Sequence, residues 1–385
     1  RKDISVKTMA YDRNFLGKNG FIHFVGVCED RQDPMKLGRL RVRCLGIHTD
    51  NKTDLPTADL PWAFCSMASS ECGISGLGQS PSFIVEGVWV YGYFRDGEDM
   101  QEAVVMGVLP GHPIEHGNPL KGFYDPNPRE NDEEKSVYPR LINESDVNRL
   151  ARNDVDMEAA SLTARKEARR TVLATADFNS SSAADGSSIS ASDGDLWDQP
   201  EIPYNAVYPY NHVFESESGH IREYDDSFII DENGNRINHY RIHERHTSGT
   251  GYEIDNAGNK VDLIVGDHYT ILSGKRQAQI DGNSDVTING RHKLYINKNG
   301  QSGNNYDIQV GPGASLNIQV DSGDVNIHTI EGKINMNAGG DYNLKVGGNY
   351  TVEVGGNTSE TIEGTKTSNT TGAVIHRGKT IDLNP

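Results

Sequence analysis

Toward its C-terminal end the chain repeats one hydrophobic and polar pattern every eight residues. Most repeats hold alternating apolar residues and then a glycine, as in the run from Leu344 to Gly348. Side chains of a β-strand alternate between two faces, and glycine tolerates the backbone angles of a bend, so each repeat is predicted to be a short strand that ends in a bend. The predicted bends lie at Gly266, Gly274, Gly282, Gly290, Gly340, Gly348, Gly356 and Gly364. The predicted apolar core positions are Leu344, Val346, Val352, Val354 and Ile362.

These eight-residue repeats (octads) cannot fold as isolated strands. One octad buries too little apolar surface to offset the roughly 1–2 kcal/mol per residue that backbone ordering costs, and a flat strip of octads leaves unpaired edges. Three copies wound about one axis remove both problems, so we predict a triple-stranded intertwined β-helix, a needle, over residues 261–385. A single-chain β-solenoid is the alternative, but known solenoid repeats have other periods. Residues 297–331 carry glycines off this period and are predicted to hold an insertion or a bulged turn.

Residues 21–111 have the pattern of a compact β-domain. Five apolar or alternating runs, separated by turn residues, predict five strands. They are Phe21–Cys28, Arg39–Cys44, Trp62–Met67, Gly87–Phe94 and Ala103–Val108. Five short strands with one glycine-rich excursion, Gly73–Gly78, are typical of a small closed barrel of the OB type. The excursion is predicted to be a flexible loop and not a phosphate cradle, because it lacks the Gly-Lys-Ser/Thr ending and precedes no helix.

Residues 1–20, before the barrel, are predicted to be an N-terminal arm. Residues 112–200, after the barrel, are predicted to be a connector whose composition changes twice. The connector begins with an extended Pro-, Gly- and Asn-rich stretch, continues with a helix from an N-cap at Asn143 to about Ala174, and ends in a Ser-rich linker.

Residues 201–260 return to β patterning and are predicted to form a junction into the needle. Asn233-Gly234 predicts a hairpin between a strand at Ile229-Ile230 and one from Arg236 to Ile242. Gly258-Asn259 predicts a further turn, after which the octads begin.

Charge and cysteine content disfavour some classes of function. The net charge of -18 disfavours a nucleic-acid partner, whose phosphates would repel the protein. No run reaches the eighteen apolar residues of a membrane helix. All four cysteines lie in the first hundred residues, which fits a reducing cytosol, with a Cys65–Cys72 bridge or metal pair as the alternative. The start at Arg1 suggests a processed or trimmed N-terminus.

Several polar clusters have residue types that occur in functional sites, but none is predicted to be catalytic, metal-binding or cofactor-binding. A glycosidase needs two carboxyls across a cleft, and the acidic residues that could supply them have sufficient structural explanations: Glu215, Glu217, Glu223, Asp225 and Asp226. His239, His243 and His246 would share one face of a helix and could bind zinc there, but this segment is predicted to be a strand. In a strand His243 and His246 face opposite sides, which disfavours zinc. An inward His292, His328 or His376 could meet its copies on the trimer axis and bind a metal ion or anion.

Arg39, Arg41 and Arg43 form a basic stripe on one predicted strand. The stripe is either a solvated strand face or a contact with an acidic surface of a partner protein.

Three stretches of the chain resemble the central spike proteins of contractile phage tails, relatives of the tail-associated lysozyme of T-even-type phages. The run from Phe24 to His48, followed by Leu60-Pro-Trp62, is similar to that family's OB domain. Tyr208 to His220 is similar to the junction into the needle, and Val261 to Pro385 to the needle itself.

The resemblance implies a homotrimer on the tail axis, at the centre of the virion baseplate, assembled in the bacterial cytoplasm. It implies that the OB domain packs on a hub ring protein, that the needle points at the host envelope, and that a conical PAAR-like protein sharpens the tip. The expected function is mechanical: sheath contraction drives the spike through the outer membrane. VgrG spikes of secretion systems share the architecture but usually carry the hub domains upstream, so a chain that starts near the barrel resembles the phage arrangement more.

One departure from the family changes the expected activity. The T-even-type protein has a lysozyme domain between barrel and needle, whereas residues 112–200 here lack the apolar content of a folded catalytic domain. We therefore expect no enzyme activity. The alternatives are a VgrG-like spike of a secretion or tailocin system, a spike that retains peptidoglycan hydrolase activity, and a receptor-binding fibre or effector carrier with a head beyond the needle.

Overall fold

The computed structural model describes residues 21–79, 82–115, 117–118, 120–124, 142–153, 204–288, 290–297 and 300–381. The chain divides into two compact units, Arg1–Lys293 and Leu294–Pro385. The described parts of the first unit hold a barrel, the end of the connector, the junction and the first octads. The second unit holds the remaining octads.

The N-terminal part of the first unit is a closed five-stranded barrel, as predicted, with the strand order β1-β2-β3-β5-β4. All of its strand pairs are antiparallel except β3 with β5, which is parallel. The strands are β1 Ile22–Asp30, β2 Leu40–Cys44, β3 Trp62–Cys65, β4 Trp89–Phe94 and β5 Ala103–Val108. Two short 3-10 turns, Thr57–Asp59 and Gly97–Asp99, lie in its loops.

Alternation along the strands builds the barrel core. In β2, Leu40, Val42 and Cys44 point inward and are buried. Together with residues of the other strands, among them Phe24, Cys28, Val90 and Phe94, they form one apolar cluster. Glycine is needed where strands approach closely, since a Cβ at Gly92 would lie 2.0 Å from the carbonyl oxygen of Val104.

The glycine-rich excursion contains a tight turn. Ser75 and Gly76 both have positive φ, 51° and 78°, and the amide of Leu77 donates to the carbonyl of Ile74 over 2.8 Å. This is the geometry of a two-residue hairpin turn. The predicted flexibility of the loop stays a prediction.

The connector helix begins later than predicted and ends quickly. The structure places Asn143 at a φ of 60°, which no N-cap adopts, and the helix α1 spans only Arg149–Arg152. Asn148 is its N-cap and accepts a hydrogen bond from the amide of Leu150, while Asn153 ends it with a φ of 48°. The remaining residues of the predicted helix, and the Ser-rich linker, lie outside the described residues.

The junction is a five-stranded antiparallel sheet with the order β12-β11-β10-β7-β6, beside a separate hairpin of β8 and β9. The strands are β6 Asn211–Glu215, β7 Ile221–Asp225, β8 Phe228–Ile230, β9 Arg236–Asn238, β10 Arg241–Arg245, β11 Gly251–Ile254 and β12 Lys260–Leu263. The predicted strand from Arg236 to Ile242 is split, since His239 and Tyr240 separate β9 from β10.

One loop design closes four hairpins of the junction. Each loop spans five residues and has a glycine at its fourth position, with φ between 81° and 101°. The glycines are Gly219, Gly234, Gly249 and Gly258. In the loop at Gly234, the amide of Gly234 donates to the carbonyl of Asp231, and the Asp231 carboxylate accepts from the amides of Asn233 and Asn235. The predicted turns at Asn233-Gly234 and Gly258-Asn259 are therefore confirmed.

After β12 the chain no longer pairs with itself. Between residues 264 and 381, the described residues contain no strand, and every one of them except Asn297 is exposed. In the first unit the chain bends on reaching Gly266, Gly274, Gly282 and Gly290, and in the second unit it bends on reaching Gly340, Gly348, Gly356 and Gly364. The five predicted core side chains are 44% to 61% exposed in the single chain, so their burial in a needle stays a prediction.

The irregular segment has a period of its own. Gly303, Gly313 and Gly323 follow one another at steps of ten residues and have positive φ, 85°, 79° and 115°. The amide of Ala314 donates to the carbonyl of Gly311 over 3.4 Å, around Pro312 and Gly313, which is a type II turn. Each of these steps is two residues longer than an octad, and the chain turns at Gly303 and Gly313 and bends at Gly323. The two predicted alternatives, an insertion and a bulged turn, are both consistent with two extra residues per repeat.

Candidate interaction surfaces and buried polar network

The predicted basic stripe divides into two surface arginines and one buried arginine. Arg39 donates to both carboxylate oxygens of Asp33, over 2.7 and 3.0 Å. The hydrogen bonds from Arg39 lower the pKa of Asp33 below its ordinary value, and backbone amides of the turn, including that of Met35, add to the effect. Arg41 lies 3.4 Å from a carboxylate oxygen of Asp30.

The two surface arginines stack with aromatic rings of the neighbouring strand. The guanidinium of Arg41 lies 4.5 Å from the ring centre of Trp62, and that of Arg39 lies 5.5 Å from the same ring. Arg95 lies 5.1 Å from the ring centre of Phe64. We call Arg39, Arg41, Trp62, Phe64 and Arg95 the arginine–aromatic ladder. Arginine and aromatic side chains are enriched at protein interfaces, and stacking holds these groups in place before a partner binds.

Arg43 does not belong to this surface, which corrects its assignment as a hub contact. Its side chain is fully buried and forms an ion pair with Glu29, with Nε 2.7 Å from Oε1. It also donates to the carbonyls of Thr49 and Leu55. Burial alone would raise the pKa of Glu29, but the hydrogen bonds from Arg43 and Thr57 outweigh it and lower the pKa. The alternation of basic residues is genuine, but loops cover this end of the strand.

Charged side chains fill the covered face of the junction sheet. Glu223, Asp225, Arg241, His243 and Glu253 are all buried there. His243 lies directly opposite Glu223 on one neighbouring strand and opposite Glu253 on the other. Its Nδ1 is 2.6 Å from Glu223 Oε2. Strand alternation places these residues on one face, so the sheet buries charge where an ordinary antiparallel sheet buries apolar side chains.

Arg241 holds the three carboxylates of this network together. Its guanidinium lies 2.9 Å from Glu223, 3.3 Å from Glu253 and 4.0 Å from Asp225. Burial opposes the charge of Glu223, but His243 and Arg241 more than compensate and lower its pKa to about 2. The pKa of Glu253 is raised, since burial outweighs the attraction of Arg241. A buried network of this kind favours one arrangement of its side chains, because removing one partner leaves another buried charge unpaired.

The acidic residues considered for glycoside hydrolysis are held by structural partners. Asn148 donates to Glu215 over 2.8 Å, and Arg31 forms an ion pair with Glu217. Glu223 and Asp225 are buried in the network, and Asp226 lies 4.0 Å from His212. Four of these carboxylates therefore have structural partners, and the expectation that none of the five is catalytic stays a prediction.

The histidines considered for zinc are separated by the sheet. His243 belongs to the buried network, whereas His246 is exposed, accepts from the amide of Ser248 and lies with its ring 4.5 Å from that of His220. Within the described ranges, no three His, Cys, Asp or Glu side chains are placed to hold a metal ion. His292, His328 and His376 are exposed in the single chain, so an ion on a trimer axis remains a hypothesis.

The buried network was not predicted as a unit, although its residues alternate along the strands. Glu223 and Asp225 lie two positions apart in β7, and Arg241, His243 and Arg245 occupy every second position of β10. Such a pattern is ordinarily assigned to the solvent face.

Among the residues that the structure describes, no helix has the length and hydropathy needed to span a membrane.

Comparison with known proteins agrees with this architecture. A family model described as the Gp5 N-terminal OB domain matches residues 46–200. A model described as the Gp5 C-terminal repeat matches three copies over residues 340–363, which confirms the octads as a family repeat.

Two relatives extend the similarity beyond these segments. Protein Gp5 of Vibrio phage KVP40 is 39% identical over 299 residues, which cover 74% of this chain and 67% of that protein. The pre-baseplate central spike protein Gp5 of Enterobacteria phage T4 is 38% identical over 129 residues, which cover 32% of this chain and only 21% of that protein. The predicted resemblance is confirmed, and the chain belongs to the Gp5 family of phage baseplate central spike proteins.

Proposed function

We propose that this protein is a structural spike of a contractile phage tail that works as a homotrimer and pierces the host cell envelope when the sheath contracts. One observation carries the proposal. Between residues 264 and 381 the described chain holds no strand, bends with a period of eight on both sides of an irregular segment, and exposes its apolar side chains. Each fully buried aliphatic side chain is worth about 1.5–3 kcal/mol, and a single chain gains almost none of this.

The octad glycines support contact with other copies of the chain. Elsewhere in the described chain a glycine usually has a local reason, such as the positive φ of Gly234 or the close approach of Arg43 to Gly26. Gly340, Gly348 and Gly356 have no positive φ, and a Cβ at these positions would meet nothing within 4 Å. Glycine costs about 0.5–1 kcal/mol of extra backbone entropy, so a regular series of glycines without a local reason favours close approach by a neighbouring chain.

The proposed mechanism is mechanical and non-enzymatic. Interchain hydrogen bonds and a buried apolar stripe would stiffen the needle against buckling while it crosses the outer membrane. The net charge of -18 fits a needle that does not adhere to nucleic acid. No catalytic residue is assigned, and a zymogram on peptidoglycan should show no clearing. Clearing would favour the alternative of a spike that retains hydrolase activity.

The partners follow from the same proposal. A baseplate hub ring protein would bind the barrel at the arginine–aromatic ladder, with Arg39 and Arg41 as contacts, and a PAAR-like protein would cap the C-terminal end of the needle. Assembly would take place in the cytoplasm of the host bacterium. Arg41→Ala should weaken capture of the hub protein co-expressed from the same phage, whereas Lys260→Ala, in the junction, should not.

Light scattering of the purified full chain tests the trimer. The expected mass is three times the 42.3 kDa of one chain, with bands that resist dissociation by detergent. A monomeric mass would refute the proposal. Electron micrographs should show a narrow rod attached to a wider head.

A further inference from the structure

We infer that residues 142–153 form a strap that couples the barrel to the base of the needle, and that the buried polar face of the junction sheet is its anchor. The inference rests on the proposed mechanical function, since such a strap would carry force between the two parts. It starts from the question of what covers the charged face of the sheet.

One end of the strap is fixed to the exit of the barrel. The amide of Asp146 donates to the carbonyl of Gly111 over 2.8 Å, and the amide of Gly111 donates to the Asp146 carboxylate over 3.0 Å. The amide of Asn143 donates to the carbonyl of Pro113 over 2.7 Å. These three bonds attach the strap to the chain just beyond β5.

The other end of the strap is fixed to the polar face of the sheet. The carbonyl of Leu150, near the end of α1, accepts from Tyr204 Oη over 2.9 Å and from Asn211 Nδ2 over 3.2 Å. The same Asn211 nitrogen donates to Glu223 over 3.0 Å. Asn148, the N-cap, donates in turn to Glu215 over 2.8 Å. The charged network is therefore linked by hydrogen bonds to the backbone of the strap.

The polar face suits this task better than an apolar face would. The last carbonyls of a helix have no partner within the helix and need outside donors when they are buried. Leu150 and Ala151 are buried. The Leu150 carbonyl accepts from the amide of Asn153 over 3.3 Å and has two further donors in the side chains of Tyr204 and Asn211. Tyr204 supplies one donor while its ring lies 4.8 Å from the guanidinium of Arg241. Ion pairs inside the strap, from Glu144 to Arg149 and Arg152, hold its short helix together.

The barrel and the junction also touch directly, which the strap reinforces. Arg31, just after β1, pairs with Glu86 of the barrel and with Glu217 of the first junction hairpin. Phe83 and Phe214 meet edge to face, with their ring centres 5.1 Å apart. Partly exposed contacts of this kind are weak alone, whereas the strap adds hydrogen bonds on both sides, exposed at the barrel and buried at Asn211 of the junction.

Hydrogen exchange of the full-length protein tests the anchor. Tyr204→Phe removes the hydroxyl donor and keeps the ring, and should speed exchange of amides in residues 142–153 by about fivefold, the equivalent of one ordinary hydrogen bond. The matched control Tyr240→Phe removes an exposed hydroxyl that accepts from Arg236 and should leave these amides unchanged. Asn211→Leu, which removes a second donor, should speed exchange by about tenfold or more.

Calorimetry tests the coupling. The barrel and the junction should unfold in one transition in the original protein, and in two transitions in Asn211→Leu. Unchanged exchange in both Tyr204→Phe and Asn211→Leu, or separate transitions in the original protein, would overturn the inference. Molecular mass and exchange over residues 340–363 report on the trimer independently, so a strap that fails in an intact trimer leaves the proposed function standing.

Discussion

Replacing Gly348 with alanine tests whether a neighbouring copy of the chain dictates the octad glycines. Within the single chain, the added methyl group meets nothing within 4 Å, and the backbone angle is one that alanine adopts without strain. An isolated chain should then gain about 0.4–1 kcal/mol in stability, because alanine restricts the unfolded state more than glycine does.

The opposite sign is expected in the trimer. Where a chain approaches a glycine closely in this protein, the space for a Cβ is taken: at Gly251 it would lie 2.3 Å from the carbonyl oxygen of Glu244. If a neighbouring backbone approaches Gly348 in this way, each added methyl group costs about 1–3 kcal/mol of overpacking. Because the substitution occurs once in each copy, the trimer would lose about 3–9 kcal/mol in total.

The assay is the temperature at which the trimer dissociates in detergent, read from unheated and heated gel samples. Gly348→Ala should dissociate at a clearly lower temperature than the original protein, and Thr351→Ala, an exposed change in the next octad, should behave like the original. Gly313→Ala should destabilise for a local reason, because Gly313 has a φ of 79°. A trimer that is equally or more resistant with Gly348→Ala would refute the reasoning.

Two further predictions concern the buried charges. Arg43→Met should lower barrel stability by about 3–5 kcal/mol, because it leaves the fully buried Glu29 without its ion-pair partner. Arg41 is partly exposed, so Arg41→Met should cost about 1 kcal/mol or less. Equal losses of stability in calorimetry would contradict the assignment of Arg43 as buried and Arg41 as a surface residue. Glu223, with its pKa lowered from 4.5 to about 2, should stabilise the junction fully above about pH 4.5 and progressively less as the pH falls toward 2. The free energy of unfolding, measured in urea across this pH range, should fall less steeply with decreasing pH in Glu223→Gln than in the original protein. An unchanged pH dependence in this variant would argue against the network.

The barrel could be predicted from sequence because its strands are defined by local alternation. Leu40, Val42 and Cys44 alternate with arginines, and each predicted strand of the barrel lies within a few residues of the observed one. The connector helix was misplaced for the opposite reason. Both Asn143 and Asn148 have the side chain of an N-cap, and only the tertiary contacts of the strap decide that Asn148 takes this role.

The arginine stripe and the polar network show what a periodic sequence pattern cannot predict. Alternation predicts which residues share a strand face, but not whether a loop or a strap will cover that face. Arg41 and Arg43 are two positions apart in β2, yet Arg41 stacks on Trp62 at the surface while Arg43 is fully buried beneath residues 49–55. The ten-residue steps at Gly303, Gly313 and Gly323 became clear only from their shared positive φ.

The glycines also differ along the chain in a way that supports the proposed contact between copies of the needle. Up to β12, loops with a positive-φ glycine, such as those at Gly249 and Gly258, reverse the direction of the chain, so that each strand pairs with the one before it. From Gly266 onward the octad glycines lack this angle, and the described residues after β12 hold no strand. Exposed backbone groups without a strand partner in the same chain favour pairing with another chain. The backbone conformation therefore supports the proposal that several copies of the chain form the needle, as the exposed apolar side chains also do.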